Sequence, residues 1–304
     1  MLATSIKTIS LLILFNLSIV GVAQVIGRGL HSGVLFFTSS RDQGYYKLFA
    51  LDVEYGTIRK ISDQRIQFGF ALSPNGKFIV TVHQDEQDTR PALIVMDWNG
   101  RDAQFVTQPF EHRIGNRFLW SPDSRLIAFT TEEPNRSVIH LVDLESNSSR
   151  VLDGQETFKS LTGWADDGEL LFYSDRTRQQ SWQVNVQTGS VRPDERPRRR
   201  DDVALSPDGL YMVTVSKQDS KRELVIVNPG DSSRWQLTEN GLNEFHPAWS
   251  LNGDRIAFVA SSEQSETGNA SLYVIDLHGN TQRLTHDFYS YWSPTWWSML
   301  NFWD

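Results

Sequence analysis

The sequence predicts an all-β fold, a six-bladed β-propeller whose ring is closed by N- and C-terminal strands sharing one composite blade. Three observations lead there. A unit of about 45 residues recurs along the chain. After the first two dozen residues the apolar pattern is one of short runs bounded by Gly, Pro, Asn and Asp, with no helical period. The first and last units are incomplete, and each supplies what the other lacks.

The chain opens with "MLATSIKTISLLILFNLSIVGVAQ". One positive charge, Lys7, precedes an apolar run, and Gly21 and Ala23 follow at the small-residue spacing of a cleavage site. Residues 1–23 therefore read as a secretory signal peptide, or as a membrane anchor if they are retained. Residues 24–32 read as a short linker and 33–304 as the propeller. The chain has 304 residues, so it can bury a large core without disulfides, and it has no cysteine. That composition excludes cysteine catalysis and cysteine-ligated metals. The formal net charge of −8 argues against a nucleic-acid partner, which needs a basic face.

Each repeat begins with a stretch such as "FALSPNGKFIVTV", "FLWSPDSRLIAFT", "TGWADDGELLFYS", "VALSPDGLYMVTV" or "PAWSLNGDRIAFV". The marker positions are Ser73, Ser121, Ala165, Ser206, Ser250 and Ser298, with intervals of 48, 44, 41, 44 and 48 residues. The Pro-Asp/Asn-Gly turn presets φ at Pro and permits positive φ at Gly, so it joins a first strand to a second. The second strand, as in "RIAFVA", is apolar on both faces and suits a position between two neighbouring sheets. A third strand follows ("ALIVMDWNG", "VIHLVDLES", "ELVIVNPGD", "SLYVIDLHG"), then a short fourth ("SRWQLTE", "TQRLTH"). Four antiparallel strands per unit is the pattern of a propeller blade. The first-strand aromatics Trp120, Trp164, Trp249 and Trp296 are expected to pack between blades. The repeated serines Ser73, Ser121, Ser206 and Ser250 are expected to hydrogen-bond their own turns.

At the N-terminal end, "VLFFTSS" stands where "RIAFVAS" stands in other units, with no first strand before it. At the C-terminal end, "YWSPTWWS" is a first strand with no successor. Joining them gives five whole blades and one composite, and leaves no open sheet edge at the termini.

"FHPAWSLNGDRIAFVASS", "SLYVIDLHGNTQRLTH" and "LSPDGLYMVTVS" together resemble the TolB-type, WD40-like propeller repeats, over about residues 33 to 298. The resemblance implies a propeller and carries no catalytic residue onto this chain. With about ten residues between the cleavage site and the first strand, it implies a propeller without the α/β domain that precedes it in periplasmic TolB.

No G-x-S-x-G elbow is present, and the seven histidines show no paired ligand spacing. The expectation is no catalytic residue, no metal and no cofactor. The connections into successive first strands lie on one face of the disc. They bring Arg113, Arg117, Arg199, Arg200, Glu244, His246, Tyr291 and Trp292 to one rim and the channel mouth. Arg with aromatics is the composition of a recognition surface. His246 is expected either to hydrogen-bond a neighbouring blade or to face a ligand in the channel. The chain is thus expected to be an exported monomer that binds a protein, peptide or glycan on its loop face. The alternative is a propeller lyase or glycoside hydrolase acting on envelope polysaccharide.

Overall fold

The computed structural model describes residues 33–297 apart from 43–44, 67–68, 85–87, 116, 178, 195–202, 219–220, 263–269 and 287–290. The proposed signal peptide and linker and the Ser298 marker lie outside the described residues.

Six antiparallel sheets form the ring. β1 (Val34–Asp42), β2 (Tyr45–Asp52) and β3 (Ile58–Lys60) belong to blade one. β4 (Phe70–Leu72), β5 (Phe78–His83), β6 (Ala92–Asp97) and β7 (Gln104–Phe105) form blade two. In blade three the innermost strand is split into β8 (Arg113–Ile114) and β9 (Leu119–Trp120), both paired with β10 (Leu126–Glu133). β11 (Arg136–Asp143) and β12 (Ser148–Asp153) complete it. Blade four is β13 (Lys159–Trp164), β14 (Leu170–Asp175), β15 (Gln180–Asn185) and β16 (Val191–Pro193). Blade five is β17 (Val203–Leu205), β18 (Met212–Gln218), β19 (Lys221–Val227) and β20 (Arg234–Gln236). Blade six is β21 (Asn243–Trp249), β22 (Arg255–Ser261), β23 (Ala270–Asp276) and β24 (Thr281–Arg283). β25 (Tyr291–Trp297) then returns to pair with β1 and becomes the innermost strand of blade one. The expected composite blade is present.

The register of the closure refines the repeat. Leu35 pairs with Trp296 as Ile256 pairs with Trp249. Trp296, and not Trp297, is therefore the counterpart of Trp249, and Trp297 takes the place of the marker serine. Gly33 is required here. A Cβ on it would lie 2.3 Å from the Trp296 ring.

The repeated serines are turn locks, as expected. Ser73 Oγ accepts from the Phe78 amide, Ser121 Oγ from Leu126, Ser206 Oγ from Tyr211 and Ser250 Oγ from Arg255, all at 2.8–2.9 Å. Each hydroxyl donates in turn to Asn75, Asp123, Asp208 or Asp254. These serines are at most 4% exposed, so none is presented to a substrate.

Apolar clusters fill the seams between blades. One joins blades one and six, others join one and two, two and three, three and four, and five and six. The expected aromatic wedges sit there. The indole N–H of Trp120 donates to Ala71 O of the preceding blade, Trp164 to Leu119 O, Trp249 to Ala204 O and Trp296 to Ala248 O. The innermost strand has one edge without a sheet partner, and the indole satisfies one of its carbonyls while the ring fills the seam.

Deleting residues 291–304 removes β25 and uncovers the inner edge of β1. The melting temperature is expected to fall by about 10 °C or more, given roughly 2–4 °C per kcal/mol in a chain of this size. An unchanged melting temperature would contradict the closure.

Candidate functional site at the inner strands and the loop face

The innermost strands share a device that the repeat alone does not display. β21 shifts register between Phe245 and Ala248, β25 between Ser293 and its neighbours, and β13 between Leu161 and Gly163. At that level His246 has φ 52°, Ser293 φ 47° and Gly69, just before β4, φ 46°. In blade three the split between β8 and β9 falls there too, at Arg117. The shifts in β13, β21 and β25 are bulges in the strand that lines the axis, and bulges re-aim side chains. His246 thus belongs to the recurring frame, not outside it. A non-Gly residue at positive φ costs about 1 kcal/mol or more, so its retention marks a constrained position.

The structure separates the expected rim residues. Arg113 is exposed, opposite Glu132 in the register, with 3.8 Å between their charged atoms. Arg117 and His246 are half-buried. Tyr291 is fully buried with its ring 5.5 Å from that of Phe37, inside the seam between blades six and one. Trp292 pairs with Thr38 through the backbone. Arg199 and Arg200 lie outside the described residues. The rim assignment is corrected for Glu244 and Tyr291. They sit five residues before the seam tryptophan of their strand, where the chain turns its side chain into the neighbouring blade.

That same position carries the most perturbed chemistry of the ring. Glu244 is 0% exposed. Its carboxylate accepts from the Leu224 amide of blade five at 2.8 Å, from Asn240 Nδ2 at 2.8 Å and from Thr238 Oγ1. Burial pushes its pKa up to about 7, with nearby Glu223 adding to the rise against those hydrogen bonds. Blade four places Lys159 at the matching position. Its side chain is fully buried, and Nζ donates to Ser137 O at 2.8 Å and Gln155 O at 2.6 Å. It lies 4.0 Å from Asp153 Oδ2, which accepts from Tyr173 Oη at 2.7 Å. Burial holds the Lys159 pKa below the usual range. The sequence pattern missed Lys159, Asp153 and Tyr173, because only the register puts them together. All are closed off from solvent and cross-link blades. Among the described residues no group of three His, Cys, Asp or Glu side chains converges as a metal site.

The two faces of the disc differ. On one, the first-to-second strand connections of blades two to six are five or six residues and most are locked by serine. On the other, second-to-third strand connections run from two residues, between Glu133 and Arg136, to eight, between His83 and Ala92. That face also holds the exposed ion pairs of Arg90 with Asp88 and Glu111 and the half-buried pair of Arg136 with Glu133.

Fold and site together define a rigid propeller with a uniform turn face and a variable loop face. Residues 119–300 match the family described as the TolB beta propeller domain. The chain belongs to that family. It is similar in structure to TolB from Acinetobacter baumannii, with a TM-score of 0.64 and 18% identity over 88% of this chain and 67% of that one. A putative TolB from Agrobacterium tumefaciens gives a TM-score of 0.57 and 19% identity over 85% and 90%. Dipeptidyl-peptidase 5 of Porphyromonas gingivalis is 42% identical over 69 residues, which is 21% of this chain. The match spans only 10% of the length of that relative.

Two outcomes follow from the buried charges. Glu244 has a raised folded pKa, so its contribution is fully present below about pH 4.5 and is lost as pH rises towards 7, by about 3 kcal/mol. Denaturant titrations from pH 5 to 8 should show this decline in the native chain and a flatter profile in Glu244→Gln. Lys159→Ala should cost about 3–5 kcal/mol, because Asp153 is left buried without its cation. A Lys159→Met/Asp153→Asn double variant should recover part of that loss.

Proposed function

We propose that this chain is exported and works as a non-catalytic binding or scaffolding module. It recognises a protein, peptide or glycan through its loop face and channel mouth. The observation that carries this reading is the asymmetry of the disc. One face is fixed by short turns, while length, charge and bulged inner-strand residues vary on the other. Rigid frames that hold variable loops are the usual architecture of recognition. The acidic balance of the chain speaks for a partner other than nucleic acid. Membrane attachment would depend on residues 1–23 staying in place. The ring is read as a monomer.

The test compares the two faces on the full chain. Arg113→Glu with Arg117→Glu changes the loop face, and Lys77→Glu changes the turn face. Immobilised proteins are exposed to an envelope extract, and retained components are quantified. The loop-face variant should lose about tenfold in retention, equivalent to about 1.4 kcal/mol, and Lys77→Glu should not. Equal retention by both, or equal loss, would overturn the reading.

A further inference from the structure

Among the described residues, apolar clusters join the blades at five seams of the ring and none joins them at the sixth. Between blades four and five lies a cavity of about 1020 Å³. It is lined by Trp164 and Phe172 from one sheet and Leu205, Met212 and Val225 from the other. Among the described residues no apolar cluster joins these two blades. The cause is visible in the sequence. Blades three, four, six and one each bring a tryptophan against the blade before them. Blade two has Leu72 at that position, but Trp297 of blade one enters the seam instead and packs 5.4 Å from Phe36. Blade five has Leu205, and the position in blade four that matches Trp297 is Ala165. Neither side supplies an aromatic wedge.

A second departure lies in the first turn of blade five, whose Gly209 lines the same cavity. After the turn residue, the other blades place a charge: Lys77, Arg125, Glu169 and Asp254. Blade five places Leu210, which is 60% exposed, and its Leu205 is 39% exposed. The lining therefore sets apolar side chains of both sheets beside polar ones such as Thr214, Ser216 and Gln236.

We propose that this cleft is a docking site for an extended polypeptide segment of a partner, with alternating apolar and acidic side chains. Three features fix the occupant. The walls are the faces of two sheets, and in the other seams such faces are covered by apolar side chains of a strand-forming chain. Met212 to Lys217 of β18 runs along the cleft, so at about 3.3 Å per residue its length matches roughly six extended residues. Charge selects the acidic partner. Lys217 stands at one end of β18, and Arg234 lies at the other, level with Met212 through Val227. Against them the lining holds, among the described residues, a single carboxylate, Asp194, in a chain of net charge −8. The volume is at the upper end of ligand pockets, about 300–1,000 Å³.

The site differs from the loop-face surface proposed above, and the experiment separates them. A short fluorescent peptide of alternating Leu and Glu is titrated into the full chain and followed by anisotropy. Binding should saturate, and should weaken at least tenfold when Leu is alternated with Lys. Leu205→Trp restores the missing wedge. It should raise the melting temperature and reduce peptide binding at least tenfold. Should that variant misfold, Met212→Lys, on a wall of the cleft, should reduce binding by the same order. Arg113→Glu should leave peptide binding unchanged. The proposal is overturned if the native chain does not bind the Leu/Glu peptide, or if it binds the Leu/Lys peptide equally. It is also overturned if the folded cleft variants bind like the native chain, or if an anionic oligosaccharide is bound in the peptide's place.

Discussion

A four-stranded sheet with apolar side chains on both faces cannot stand alone in water. Each blade here must cover its faces with those of its two neighbours, and the rest of the structure follows from that requirement. The second strands are apolar on both sides because they lie inside the sandwich. The ring must close, because a missing neighbour would expose a whole face. The tryptophan wedges act on the same seam. Each fills the space between two sheets and donates to a carbonyl on the inner edge of the preceding blade. Covering an apolar face at about 25 cal/mol per Å² outweighs any single polar contact in the ring.

The same constraint explains where ionisable groups were hidden. In blades one, four and six the first strand enters the seam near its start, and the side chain there is buried whether it is Tyr291, Lys159 or Glu244. Blade six uses a carboxylate held by donors of blade five, and blade four uses an ammonium held by carbonyls and Asp153. Buried charges of this kind are retained only when partners surround them. They lock neighbouring blades together at chosen seams, which a purely apolar repeat would not distinguish.

Function is then left to what varies. The turn face is occupied by serine locks and has little freedom. The loop face carries connections of different length, and the inner strands carry bulges whose residues differ from blade to blade. The seam without a wedge is a further local exception, produced by two leucines where other blades have a tryptophan and a charge. Departures from a strict repeat are where a propeller gains individuality, since the repeated residues are already committed to packing.

Much of the architecture could be read from the chain alone. The interval of the markers, the two-faced apolar runs and the complementary ends determine six blades and their closure, because local turn chemistry and strand period are properties of short segments. The wedge role of Trp120, Trp164, Trp249 and Trp296 and the turn role of the serines are legible for the same reason. The candidate site was less legible. Arg113 could be placed on an exposed rim, but Glu244 and Tyr291 are closed inside seams, and His246 proves to be a recurring bulge. Sequence places a residue along a strand. Which side of the strand it leaves from depends on register, and a one-residue bulge reverses it. Only the tertiary structure supplies that register. It decides that Asp153 meets both Lys159 and Tyr173 and that Glu244 meets Leu224. It also decides that Leu205 opens a cleft while Leu72 is compensated by Trp297 from the next blade.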